Sequence, residues 1–470
     1  MVLAFGLFKA SSIVVLFSYL LVVAVSIVPT YLWARLHRPG IPIVPAMGLM
    51  SILYYAIPLV RGRQDLIEYT DGDLLLGAAT VSLFLLASTG VSHFFLRQVR
   101  RRESFGDARM SATQMKVLIF LGLGLGMTFL GAAAIGLLGG LGSYFGFARS
   151  IALTSLVASC YFLGVARGRR VLHGRSWILA LFVFGLVVLI AWSSLYLVGG
   201  MTFLVAAAIG YVTTKGKVPW LPLGIAVVLV SILHAGKEEM RDRYWQQEEG
   251  SGRGMRITEL PQRLTEWFEL GLESLSSDAK GRSALDRASL LQMLLRVQRL
   301  TPSMVDYLRG DTYALIPEML IPRFLNPEKP ISKAGLDMLS IRYGLMSQEG
   351  LESTTIGWGL IAEAFANFGF AGVGLIGLLI GLLGGIFGRW SASGSAVSVS
   401  TLMAVAAMLG LINLEQDLAS LVTSLVQSSI AVLFFVALVR LVLSSLGGHL
   451  KSGHLSTCQN RPFPAGDRDG

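Results

Sequence analysis

Stretches of roughly 20 apolar residues recur along this chain, each long enough to cross a hydrocarbon core of about 30 Å. Nothing else in the sequence narrows the fold so far. In lipid a segment must pair its own backbone N–H and C=O groups, and one of this length does so as a helix. Candidate spans fall near 11–34, 41–59, 74–96, 116–138, 146–165, 176–195, 197–213, 218–235, 366–388, 396–414 and 419–441. They number about eleven, and the expected fold class is all-α, a polytopic transmembrane helix bundle. The sixth and seventh are short, with only a turn at Gly199 and Gly200 expected to separate them.

Composition agrees. Of 470 residues 53% are hydrophobic and 14% charged, and the mean hydropathy is +0.64. A soluble protein carries about 25% charged residues. The 53 glycines gather in the apolar stretches, where they let helices approach closely. The first segment lacks a small-residue cleavage site after a short apolar core, so it reads as a retained span rather than a signal peptide. Of the two cysteines, Cys160 falls in a span and Cys458 in the polar tail, which leaves no disulfide framework for the longest loop.

The net charge of +10 sits mainly in short loops, and its alternation sets the topology. One set of loops holds Arg35 and Arg38, then Arg97, Arg100, Arg101, Arg102 and Arg109, then Arg167, Arg169, Arg170 and Arg175, then Lys215 and Lys217, then Arg389. The other holds Arg61 and Arg63 among acids, Arg149 alone, and the acidic Glu415 and Asp417. The positive-inside rule makes the first set cytoplasmic. The expected organisation is an amino-terminal transmembrane bundle over 1–235, a large extracytoplasmic loop over 236–356, a second bundle over 357–445 and a cytoplasmic polar tail over 446–470. The last 20 residues are polar and expected to be disordered.

The 236–356 segment is the one part large enough to fold in water. Its charges nearly cancel, so it is no polyanion-binding arm, and no nucleic-acid partner is expected. Two stretches read as amphipathic helices. In 257–275, Leu260, Leu264, Trp267, Phe268 and Leu275 share a face; in 284–300, Leu285, Ala288, Leu291, Leu294 and Leu295 do so, opposite Arg282, Asp286, Arg296 and Arg299. Pro317, Pro322, Pro327 and Pro330 then break any continuous helix.

There is no P-loop, no dinucleotide fingerprint followed by an acid, no HExxH and no paired-Cys metal site, and the six histidines are scattered. Neither cofactor nor metal is expected. Span interiors are nearly free of ionisable groups, which weighs against an ion-coupled carrier. Informative polar residues gather at span ends and in the large loop. Lys237 and Arg241 follow the eighth span, where headgroup anchoring competes with a binding role. Arg323 and Lys329 lie among prolines, suited either to anion binding or to capping the loop. Glu363 stands in an otherwise apolar stretch at a span end, where a carboxyl is costly unless paired or near water. Asn367 lies one helical turn on, facing the same way. The alternatives for Glu363 are a functional group or a buried pair with a loop arginine. His234 reads as a satisfied interfacial histidine.

Three passages, HAGKEEMRDRYW after the eighth span, DYLRGDTYALIPEMLIPRFLNPEKP in the loop and GLIAEAFANFGFAGV before the next, accompany this layout of spans. Together they resemble the Wzy-type O-antigen and exopolysaccharide repeat-unit polymerases. The resemblance implies a metal-independent glycosyltransferase of the membrane-embedded GT-C type at the periplasmic face of a bacterial inner membrane. Its substrates would be undecaprenyl-diphosphate-linked glycans, and its partners the lipid bilayer, a chain-length regulator and the flippase of the same pathway. On that basis Lys237, Arg241, Arg287, Arg299, Arg323 and Lys329 would contact the diphosphates. Glu363 would be the base and Asn367 would orient it or the sugar, with Asp417 a reserve carboxylate. The layout also resembles O-antigen ligases, which rely on a loop histidine; beyond His234 at its edge this loop has none. A flippase or other transporter is the non-enzymatic alternative.

Overall fold

The computed structural model describes residues 11–36, 40–61, 66–99, 110–193, 195–251, 259–276 and 289–455. Among these the fold is all-α, with no strand. The first long helices are α1 (Ile13–Arg35), α2 (Ile43–Val60), α3 (Asp71–Arg97), α4 (Ala112–Ala134) and α5 (Phe145–Arg169). After them come α6 (Gly174–Ser193), α7 (Leu197–Lys215) and α8 (Trp220–Ala235). The large connection carries α9 (Lys237–Ser251), α10 (Leu260–Ser276), α11 (Leu291–Leu300), α12 (Leu315–Leu320), α13 (Ala334–Arg342) and α14 (Gln348–Ser353). The chain closes with α15 (Leu360–Ser393), α16 (Val399–Leu411) and α17 (Leu418–Leu455).

Among the described residues, nine helices are long and apolar enough to cross a membrane, and ten if α8 and the start of α9, bent by 50°, count as one span. The protein is a multi-pass membrane helix bundle. Every expected span coincides with a helix, but two fall short of the length required: α8 has 16 residues and α16 has 13. Contacts at the helix ends show where each connection lies. The large connection meets the α2–α3 turn where Arg299 reaches Glu68, the α4–α5 turn where Phe324 stacks on Tyr144, and the α6–α7 turn where Arg241 reaches the Leu195 carbonyl. It meets the α16–α17 turn where the Ser420 hydroxyl donates to Ser332. At the opposite end the Ile41 N–H donates to Ser391, and Arg389 donates to Gln98. The short α16 therefore returns the chain to the end that α15 left.

Packing explains the glycines. A Cβ on Gly164 of α5 would run into the Ala207 carbonyl of α7, and one on Gly210 of α7 into the Tyr161 carbonyl of α5. Such close contact is how helices associate where lipid supplies no hydrophobic drive. The helix α15 packs along α3 in the same way, Gly381 lying against Ser88.

Several local expectations change. The break between α6 and α7 is not at Gly199 and Gly200, which lie in the first turn of α7; it falls at Leu195, whose φ is 59°, and Tyr196. Gly200 instead makes room for Trp192, whose indole N–H donates to the Leu197 carbonyl. The amphipathic stretch 257–275 appears as α10, with Trp267 buried and its N–H given to the Leu233 carbonyl. Of 284–300 the helix spans Leu291–Leu300, and the portion with Arg282, Leu285, Asp286 and Arg287 lies outside the described residues. The terminal stretch from 456 also lies outside them.

Candidate functional site

The helix α15 is not continuous. Phe368 (φ −144°, ψ 20°) and Gly369 (φ 60°, ψ −145°) leave the helical region, so a half-helix of two turns precedes the long transmembrane portion. A break frees backbone groups that must find partners at this depth. Here the large connection supplies them. The N–H of Leu308 donates to the Ala366 carbonyl at 3.0 Å, and that of Arg309 to the Asn367 carbonyl at 3.2 Å. The Gly310 N–H donates to Asn367 Oδ1 at 2.9 Å, and Asn367 Nδ2 donates to Thr312 Oγ1 at 2.9 Å and to the Glu363 carbonyl at 2.9 Å. Residues 308–312 thus form a clamp over the half-helix. Arg309 takes a left-handed backbone, φ 50°, to make that turn, a conformation that costs a non-glycine residue energy and persists only where surroundings fix it.

Glu363 and Asn367 project from the half-helix and are fully buried. Glu363 Oε2 accepts the Leu418 N–H at 2.7 Å, and Asp417 Oδ1 accepts the Ser420 N–H at 2.7 Å. Two carboxyl groups therefore meet at the amino end of α17, where unpaired N–H groups and the helix dipole favour negative charge. Among the described residues, Glu363 Oε1 and Asp417 Oδ2 have no hydrogen-bond partner. The Thr312 side chain lies within reach of the Glu363 carboxyl, and Asp417 Oδ2 packs on Gly335 of α13. Burial pushes the Asp417 carboxyl up from its ordinary value, against the Ser420 side chain and the N–H groups of Ser420 and Leu336, which favour its charged form. The Tyr313 hydroxyl, beside Asn367, is likewise pushed up, first by burial and then by the neighbouring Glu363. Glu363 thus pairs with a backbone amide and not with a loop arginine among the described residues.

The cations divide. Arg323 donates to the carbonyls of Pro327, Lys329 and Pro330, and Lys329 Nζ to those of Met319 and Ile321, both at 2.8 Å. The two brace their own loop, and Lys329 is lowered from its ordinary value by burial and by Arg323. Arg241 sits over the Tyr196 ring at 5.2 Å and donates to Leu195. Arg299 pairs with Glu68 at 3.3 Å, over the Tyr69 ring. Lys237 faces Glu415, whose carboxyl also holds the Tyr54 hydroxyl. Among the described residues, none of these five is joined to Glu363 by a hydrogen bond or ion pair. Arg287 lies outside the described residues. The cation that does lie on the clamp is Arg309, exposed and with no partner for its side chain among the described residues. The sequence marks it as bracketing a proline-containing turn with Arg299 but gives it no site role; Thr312 and Tyr313 carry no such signal, and the further cue to the clamp is the Arg-Gly pair, a turn next to a glycine.

Comparisons with protein families, with curated proteins and with solved structures returned no match.

Proposed function

We propose that the chain is a metal-independent glycosyltransferase that polymerises undecaprenyl-diphosphate-linked repeat units at the periplasmic face of a bacterial inner membrane. The observation that supports this reading is the broken span: a buried carboxyl on its half-helix, Glu363, under a clamp that presents an uncommitted cation, Arg309. In the proposed reaction an acceptor sugar hydroxyl attacks the anomeric carbon of the donor glycan. Its proton passes to Glu363, the bond from that carbon to the diphosphate oxygen breaks, and the diphosphate departs on its lipid. Charge grows on the departing oxygen, and guanidinium or ammonium groups stabilise it. Arg309 is best placed for this; Arg241, Arg323 and Lys329 are engaged with backbone carbonyls and serve the fold. Glu363 is buried, so the acceptor reaches it when the 308–312 clamp lifts. Asn367 fastens that clamp and acts as a positioning residue.

Glu363→Gln tests the reading. Glutamine keeps an oxygen that can accept the Leu418 N–H, so the cap on α17 survives while the base is lost. The expected glycan ladder loses long polymer and keeps single lipid-linked repeats, with the protein present in the membrane by immunoblot. An unchanged ladder would reduce Glu363 to a cap. Loss of single repeats from the outer face would favour a transporter instead.

A further inference from the structure

Over residues 117–148 the chain carries no charged residue, although there it completes α4, turns and begins α5. A turn standing in water gains nothing by exposing large apolar side chains. This one exposes Ile135, Leu137 at 70%, Tyr144 and Phe147. Residues 320–325 of the large connection lie against it. Phe324 stacks on Tyr144 with ring centroids 5.3 Å apart and meets Phe147 edge-on at 6.2 Å. Around that contact Leu320 and Ile321 are exposed, and Leu325 is 68% exposed.

The basic groups that would ordinarily hold such a segment in water are engaged with its own backbone. Arg323 and Lys329 spend their N–H groups on carbonyls of the same loop. A long cation at a membrane surface usually extends its head to water; here the braced loop leaves its tip apolar. The nearest exposed charges in sequence are Glu318, Glu328 and Arg149.

We propose that residues 320–325 dip into the bilayer interface and form one apolar belt with residues 135–147, continuing the lipid-facing surface of the spans. The partner is the boundary between headgroups and acyl chains of the leaflet at that end, a level that aromatic side chains favour. Continuity decides the occupant. The turn beneath the tip joins two spans and has no charge to lift it above the headgroups, and the tip is stacked on that turn. The inference is independent of the proposed function. It makes the large connection a structure fastened to the membrane at two places, through its flanking spans and through its tip.

The test is depth measurement in the full chain. Leu325→Cys and, as a water reference, Glu349→Cys are made with Cys458→Ser; the buried Cys160 stays unlabelled. Each is spin-labelled after reconstitution in bilayers of phosphatidylethanolamine and phosphatidylglycerol. The expected result at 325 is a collision rate with oxygen, which concentrates in lipid, above that with a nickel chelate, which stays in water, and the reverse at 349. A label at 325 as open to nickel as that at 349 overturns the proposal. So does a label shielded from both agents and broadened by a second label, which would assign the tip to a contact between copies. Size-exclusion profiles matching the parent protein establish that each variant is folded.

Discussion

Asp417 caps α17 through one oxygen and leaves the other unpaired against Gly335. Its carboxyl is raised by burial, so the folded protein holds that proton more tightly than the unfolded chain does. Stability from this group is therefore fully present below the ordinary aspartate range and is lost as pH rises through the folded value. Asp417→Asn keeps an acceptor for the Ser420 N–H. It is expected to raise thermal stability at neutral pH and flatten its decline from acid to neutral, measured by unfolding of the detergent-solubilised protein. Asn367→Ala removes the two side-chain hydrogen bonds that fasten the clamp and a third to the Glu363 carbonyl in its own half-helix. With a partly buried N–H left at Gly310, the expected cost is about 1–3 kcal/mol, localised by faster hydrogen exchange over 308–312. Glu363 and Asn367 were legible in the sequence because polar residues in an apolar helix are conspicuous. What each holds was not, since Leu418 and Thr312 are brought there by tertiary packing alone.

Among the elements, α15 matters most and was least legible. Its sequence is apolar on both sides of the break, and Gly369 is one glycine among many. Only the folded chain shows that Gly369 adopts φ 60° and that a Cβ there would sit 3.0 Å from the Tyr307 hydroxyl. Gly369→Ala is expected to destabilise by about 1–3 kcal/mol, the usual cost of a backbone region reserved for glycine. A thermal shift relative to Gly374→Ala, which meets open space, isolates the effect. The amphipathic α10 was readable because its apolar residues recur at helical spacing. The roles of Arg323 and Lys329 were not, because proline-rich loops have no periodicity from which to judge where a side chain points.

At the scale of the molecule, charge alternation anticipated which connections share an end, and the contacts agree: the turns at 66–70, 137–144, 195–196 and 412–417 all adjoin the large connection. The direction across the membrane is a proposal that rests on the positive-inside rule alone. Glu349→Cys is expected to react with an impermeant maleimide in intact cells, and Ser393→Cys only after the membrane is opened. The reverse pattern would invert the molecule and place the Glu363 site in the cytoplasm. Span number was less legible, because hydropathy measures apolar content and not helix length. The 13 residues of α16 rise about 20 Å, against about 30 Å of hydrocarbon. Most of its side chains face protein, so the shortfall is not met by lipid. Irregular chain at its ends occupies part of the slab's thickness, walled off from the acyl chains by neighbouring helices. Asp417 and the Glu363 carboxyl beside it, both fully buried, lie where that irregular chain enters α17. Their level is fixed by their bonds to the start of α17, so a thicker or thinner bilayer shifts the surface above them and leaves those bonds as they are.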